Sequence, residues 1–312
     1  MSNEVLNLSQ AGLGINPLLT SVAQGYSNSE LVGSTLFPRV PVPARHGQIV
    51  QFGKESFKKY NLKRAPGAST FKMDFGFKGI PFALTQDSIA VPLAREVAQD
   101  ATTISHIDMA SASINLTMDV MLLSLEGEQA DLARNAALYA AANVYAPTGA
   151  AKWTDPSSDP IKDVQAAREQ VRSRIGRYPN TMVVGAKVFA ALKTHPKIVD
   201  RIKYTQFASV STAMLADLFE VNTVKIGAAV TSDDNDQFSD IWGTDAILAY
   251  VPGVIATVQQ PSFGYTYTLN GNPLVENAFY DNDAKAWIFG ATYERAPYVT
   301  SFDSGFLFQA VA

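Results

Sequence analysis

The stretch Ile161–Tyr204 constrains the fold more than any other part of this 312-residue chain. Asp159 and Pro160 stand where a helix N-cap and a first helical residue belong. Ile161, Val164, Ala167, Val171 and Ile175 then recur at spacings of three and four, which predicts one buried face of an amphipathic helix. Gly176 and Tyr178-Pro179-Asn180 end it, and Thr181–Val184 is short and apolar in the manner of a buried strand. Gly185 turns the chain into a second helix carrying Val188, Phe189 and Leu192. Pro196 breaks that helix, and Ile198, Val199 and Ile202 mark one more turn. No residue here is placed for chemistry. The unit is a packing element.

Upstream, Ile114, Met118, Met121, Leu122, Leu125, Leu132, Ala136 and Tyr139 keep helical spacing and predict one long helix over Ala112–Ala142, about 47 Å at 1.5 Å per residue. Gly127 lies within it and marks a candidate bend. Such a helix is a structural spine. Asn143–Ser158, rich in Pro, Gly, Ser and Thr, reads as a loop.

Gly47–Leu84 has the pattern of a long two-stranded ribbon. Phe71, Met73, Phe75 and Phe77 alternate with Lys72, Asp74, Gly76 and Lys78, and Ala65-Pro66-Gly67 supplies the reversing tip. An isolated hairpin is marginal in water, so a ribbon with one aromatic and one basic face needs a partner surface. Before it, Met1–Ala44 shows little periodicity. Ser27-Asn28-Ser29-Glu30 matches a capping box for a short helix through Leu31 and Val32, and Pro38, Pro41 and Pro43 enforce an extended path. This part reads as an arm that lies on something else.

Beyond Tyr204, Thr212–Phe219 predicts a short helix. Val221–Val230, Ala246–Val251, Val254–Val258, Tyr265–Leu269, Ala286–Tyr293 and Tyr298–Phe308 are strand candidates rich in β-branched and aromatic residues, with Thr231–Gln237 a polar loop. There is no internal repeat. The class is α+β with mixed sheets.

Charge falls in blocks. Over Arg45–Lys78 eight basic residues (Arg45, Lys54, Lys58, Lys59, Lys63, Arg64, Lys72, Lys78) face Glu55 and Asp74, a net of +6. Over Ile104–Ala142 Asp108, Asp119, Glu126, Glu128 and Asp131 face Arg134, a net of −4, and Thr205–Ala284 nets −9 with Lys225 its one base. Opposite blocks in one chain invite pairing within or between subunits. The total of −4 argues against a protein whose main task is gripping nucleic acid. A charged fraction of 17%, against a usual value of roughly 25%, suggests a surface covered by other subunits.

With no cysteine, disulfides, thiolate metal sites and cysteine nucleophiles are excluded. Met1–Gln10 lacks the basic and apolar regions of a secretory signal, and no window approaches the roughly 18 apolar residues of a membrane span. His46, His106 and His195 lack metal-ligand spacing. Asp233-Asp234-Asn235-Asp236 resembles half of a calcium loop, but Phe238 and Ser239 fall where an oxygen ligand and a glycine are needed. Gly53-Lys54 fails as a phosphate loop because Glu55 follows, and Ser56-Phe57-Lys58-Lys59 has no companion penicillin-binding motif. Arg168, Arg172, Arg174, Arg177, Lys193, Lys197, Arg201 and Lys203 cluster without an aromatic platform, so salt-bridged helix faces are favoured over a nucleic-acid patch. The sequence offers no catalytic residue, cofactor site or metal site.

The order of arm, basic ribbon, long helix, helix–strand–helix unit and acidic distal part carries a resemblance. So do Arg64-Ala65-Pro66-Gly67, Phe82-Ala83-Leu84, Tyr178-Pro179-Asn180 through Lys187, and His195-Pro196-Lys197 through Tyr204. Over essentially its whole length the chain resembles the major capsid protein of tailed bacteriophages, the Hong Kong 97-type capsid fold. That resemblance implies an N-terminal arm (1–44), an extended β-ribbon loop (45–85) and a peripheral domain with the spine helix (86–159 and 256–294). It also implies an axial domain (160–255 and 295–312) with a mixed sheet flanked by helices.

The function so implied is structural. Copies of the chain would self-assemble as hexamers and pentamers into an icosahedral shell around double-stranded DNA, without sequence-specific binding, in a virion assembled in the host cytoplasm. Separate scaffolding, portal and decoration proteins are further partners; only a short arm precedes the ribbon, so scaffolding would come from another protein. Lys54, Lys58, Lys59, Lys63 and Arg64 of one ribbon are then expected to meet Asp119, Glu126, Glu128 and Asp131 of a neighbour's spine. The alternative is an encapsulin-like shell storing a cargo enzyme. A nucleic-acid-binding module using Arg168–Lys203 ranks below both.

Overall fold

The computed structural model describes residues 14–51, 63–64, 66, 70, 78–97, 109–202, 210–233, 235–253 and 262–312. The expectations at Lys54, Lys58, Lys59, His106, the Phe71–Phe77 alternation and Val254–Val258 lie outside these residues.

The helix–strand–helix unit forms as its pattern requires. Helix Pro160–Ile175 (called α4 in chain order) is capped by Asp159, whose side chain accepts from the Lys162 amide at 3.2 Å, and ends at Gly176 with φ 68. All five residues of the expected stripe are buried. Strand β6 (Thr181–Gly185) follows, then α5 (Ala186–Thr194) and α6 (Pro196–Ile202). Strand β6 sits inside a mixed five-stranded sheet, ordered β5 (Val144–Tyr145), β15 (Gly305–Phe308), β10 (Ala246–Ala249), β6, β7 (Thr223–Gly227). It is covered on both faces: Met182 and Val184 pack with α4 and Trp153, while Val183 packs with Trp242, Ala130 and Leu307. Helix α7 (Thr212–Leu218) closes the first of these cores.

The other sheet is organised by β14 (Ala286–Val299), which runs six residues past the expected Ala286–Tyr293; the expected Tyr298–Phe308 strand is broken by a 3-10 turn at Phe302–Ser304, and its end is β15 in the first sheet. Along one edge β14 pairs with β4 (Thr85–Ala94) at ten successive positions. Along the other it takes β13 (Phe279–Asp281), β12 (Leu274–Val275) and β11 (Gly264–Leu269) in turn. The arm adds β1 (Arg39–Val42), parallel to β11, as the extended path through Pro38 and Pro41 requires.

The spine is α3 (Met109–Arg134), 26 residues and so about 39 Å long. Its Ile114, Met118, Met121 and Leu125 pack on Leu93, Phe289, Ala291 and Tyr293. It stops before Ala142 because its C-terminus is closed by side chains. The Tyr139 hydroxyl donates to the Ala133 carbonyl at 2.7 Å, and the Asn135 side chain accepts from the Ala137 amide to start a 3-10 turn. Capping here outweighs the helix preference of the alanines.

Two parts of the arm differ from expectation. Helix α1 (Pro17–Gly25), capped by Asn16, forms where little periodicity is read, burying Leu19, Thr20 and Ala23 on one short face. The capping-box pattern at Ser27–Glu30 starts no helix, because Asn28 folds back on the Glu30 amide and donates to Asp119. The short helix is α2 (Gly33–Leu36) instead. The ribbon base is formed by β2 (His46–Gln51) antiparallel to β3 (Lys78–Ala83). The expected polar loop at Thr231–Gln237 is narrowed by a hairpin, β8 (Val230–Ser232) with β9 (Phe238–Asp240).

Candidate assembly surface

The spine's polar residues divide by face. Glu126 is 2% exposed. Its carboxylate accepts from the Val32 amide at 2.9 Å, the Gly33 amide at 2.8 Å and the Trp242 indole at 2.6 Å. It is therefore the cap of α2, delivered from another helix, and it joins the arm to the Trp242 core. Asp119, one face-repeat earlier, accepts from Asn28 at 3.0 Å and holds the Tyr26 phenol, whose pKa it raises by that hydrogen bond. Glu128 pairs at 2.8 Å with Arg295, a fully buried guanidinium that also meets Asp87 at 2.7 Å. Asp131 is exposed.

The four carboxylates expected as one docking set thus have different duties. Glu126 is withdrawn from any surface pairing by its burial and its three donors. Glu128 is half-exposed beside Arg295, and Asp131 faces outward. Lys63 and Arg64 are both exposed.

Beside Asp131, α3 presents exposed Val120 (47%) and Ser124 with half-buried Leu123 and Gly127. This stripe forms one wall of an open cleft of about 560 Å³. Thr231, Ser239, Asp240 and Ile241 of the β8–β9 hairpin form the other wall. Arg134 closes its floor, donating to Asp245 and to the Ile241 carbonyl, both at 2.6 Å. Lys187 pairs with Asp240 at the rim. The hairpin carries Phe238, 76% exposed, out past the cleft. A groove of mixed polar and apolar lining with a protruding aromatic suits contact with another polypeptide, and no part of it is arranged for bond chemistry.

The basic cluster on α4 is consumed inside the subunit. Arg168 pairs with Glu220, Arg172 with Glu169, Arg174 with Asp303 at 2.6 Å, and Arg177 donates to the Tyr250 hydroxyl. Arg168 and Arg172 also stack on Tyr178. His195 is buried against Ser158 at 3.1 Å, but its other ring nitrogen lies beside the Lys197 amide and its ring contacts the Asp155 carbonyl, a packing role. Asp233 is a turn former: its carboxylate accepts from the Asn235 and Gln237 amides, which holds its pKa below the usual range. Among the described residues no group of acids and histidines could hold a metal ion, and no helix is long and apolar enough to cross a membrane.

Residues 138–295 match the family model described as phage major capsid protein E. The chain is 35% identical over 304 residues to the major capsid protein of Burkholderia phage BcepMu, covering 95% of this chain and 96% of that one. Among solved structures, a phage-related protein from Bordetella bronchiseptica RB50 superposes with a TM-score of 0.83 at 38% identity, covering 95% of this chain and 97% of that one. The SrpI encapsulin of Synechococcus elongatus PCC 7942 superposes with a TM-score of 0.56 at 12% identity, covering 98% and 95%. That last likeness is one of fold.

Proposed function

Since this chain belongs to the phage major capsid protein family, we propose that its copies assemble as hexamers and pentamers into an icosahedral shell around a double-stranded DNA genome. The fold is the α+β capsid fold and the role of the family is structural. The observation that carries the reading is the extent of the similarity, 35% identity across 95% of the chain to a capsid subunit. An encapsulin-like store for a cargo enzyme shares only the fold. In the proposed role the protein resides in the virion and is assembled in the host cytoplasm. Its chief partner is itself, and it meets the genome without reading sequence; scaffolding, portal and decoration proteins act separately.

The proposed division of labour follows the two sheets. Residues 1–44 form the arm, 45–85 the extended loop, 86–159 and 256–294 the peripheral domain, and 160–255 with 295–312 the axial domain. Strand Val144–Tyr145 pairs in the five-stranded sheet and β14 runs on to Val299, so chain crosses between the two units at both boundaries.

Assembly is mechanical in this proposal. The ribbon residues Lys54, Lys58, Lys59, Lys63 and Arg64 lie on Asp131, Glu128 and Asp119 of a neighbouring spine. Each exposed pair contributes about 0–1 kcal/mol, so the effect rests on repetition over the shell. Replacing Lys58, Lys59, Lys63 and Arg64 by Glu is expected to stop particle formation while leaving a folded subunit. Full-sized particles at normal yield, seen by electron microscopy, would remove the pairing.

A further inference from the structure

Five residues on one side of α3, Val120, Leu123, Gly127, Asp131 and Arg134, line the cleft beside the β8–β9 hairpin at spacings of three and four. That is the row one helix presents to another. From Val120 to Arg134 it runs for about 21 Å. The row is low in its middle. A Cβ added at Gly127 would have no atom within 4 Å, and Ser124 beside it is small and exposed. Glycine inside a helix is unfavourable against alanine. Yet α3 runs unbroken through Gly127, and no described residue of the subunit fills the space above it.

The opposite wall excludes a strand as occupant. Thr231 and Ser239 are directly opposed in register, so the hairpin turns a face to the cleft and not an edge with free backbone groups. A polypeptide entering here finds no ladder and must satisfy its own backbone, as a helix does. The hairpin's aromatic leaves the cleft unfilled, because Phe238 pairs with Ser232 and so stands on the other face. The rim is acidic. Lys187 meets Asp240 and Arg134 meets Asp245. Asp131 has no such partner among the described residues, and Asp233 and Asp236 stand exposed at the hairpin's turn. The cationic helix of this chain, α4, does not answer that charge: its apolar stripe is buried, and Arg168, Arg172 and Arg174 pair within their own subunit.

We infer that this cleft is a docking site for an amphipathic helix of a separate polypeptide, one whose apolar stripe is bordered by lysine or arginine. The stripe closes over Gly127 and Ser124 and packs against Val120, Leu123 and Ile241. The bordering cations reach Asp131 on one side and the acids of the hairpin's turn on the other. The occupant is a partner of the capsid chain and not another copy of it.

The test uses dissociated subunits of the whole chain and a fluorescent synthetic helix of about 18 residues. The helix carries a leucine–alanine stripe flanked by lysines, and a twin carries glutamate at every lysine. Anisotropy is expected to show the lysine helix binding at least about tenfold more tightly than its twin, a difference that shrinks as salt is raised. Gly127→Leu, which fills the groove, and Asp131→Lys, which reverses an exposed charge, should each weaken the lysine helix by at least about tenfold. Leu116→Lys, on α3 but outside the cleft and 57% exposed, should leave it unchanged. Equal binding of the two helices, or unaltered binding by Gly127→Leu and Asp131→Lys, would overturn the inference. The chain has no cysteine, so Ser124→Cys places a single thiol in the cleft. That thiol should react with N-ethylmaleimide in particles assembled from this chain alone and be shielded when the lysine helix is added. Shielding in those particles before any helix is added would make a second copy the occupant and overturn the separate partner. The binding measurements need no particle, which separates their failure from failure of the shell reading.

Discussion

The Trp242 indole donates to the Glu126 carboxylate at 2.6 Å across 116 positions of sequence. The same carboxylate closes the first turn of α2, so one buried acid holds the arm, the spine and the Trp242 core in fixed relation.

Replacing Glu126 by Gln keeps the shape but sets an amide NH2 where a donor already points. An unsatisfied buried donor costs about 1–3 kcal/mol. Chemical denaturation of the dissociated subunit, followed by Trp fluorescence, is expected to show a loss of that order. Trp242→Phe leaves Glu126 its two backbone donors, so its cost is chiefly that of the space left in a fully buried core position.

Gly33 tests the same node sterically. A Cβ there would lie 2.0 Å from the Gln129 side-chain oxygen and 2.8 Å from Glu126. Gly33→Ala is expected to destabilise by about 1–3 kcal/mol, as overpacking does. Limited proteolysis should then cut the arm first.

Much of this fold was legible and the Glu126 node was not, for one reason. The signals of α4 are local: Asp159, the 3–4 stripe and Gly176 all lie within eighteen residues, and each does what its chemistry suggests. Glu126 acts on Val32, Gly33 and Trp242, which no window contains, so by spacing alone it reads as one more surface acid. Strand β4 is not legible locally, because Pro92 interrupts a weak alternation and its partner lies about two hundred residues away. The helical pattern runs eight residues past the helix itself because alanines favour helix locally, while Tyr139 caps it from outside. At the assembly surface Lys63, Arg64 and Asp131 are exposed, and the charge-exchange experiment tests the proposed docking.

Arg295 is fully buried and meets Glu128 and Asp87. Arg295→Met removes the cation and leaves two carboxylates facing each other; because both are partly exposed and can take up water, the cost is expected below the about 3–5 kcal/mol of a fully buried pair. Calorimetry of the variant should show a lowered melting temperature. Adding Glu128→Gln and Asp87→Asn should recover part of it.

Asp163 supplies a pH signature. Burial raises its carboxyl above the usual range, although it accepts from the Trp153 indole at 3.0 Å. A carboxyl raised on folding contributes stability below its unfolded pKa and loses it as pH rises through the folded value. Asp163→Asn should therefore show a smaller loss of stability than the unaltered chain as pH is raised from below the ordinary aspartate range towards neutrality. Equal pH profiles from denaturation of the two proteins would argue against a buried charge at this site.

The ten-residue pairing of β4 with β14 has a temporal consequence. The ribosome releases β4 about two hundred residues before its partner exists, an interval of roughly 10–40 s at about 5–20 residues per second. The five-stranded sheet waits longer still, since β15, seated between β5 and β10, is made only when synthesis reaches Gly305–Phe308. A nascent or truncated polypeptide therefore lacks a complete sheet of either kind and has no finished surface to offer a growing particle. Synthesis through Phe308 becomes the checkpoint that keeps shorter fragments out.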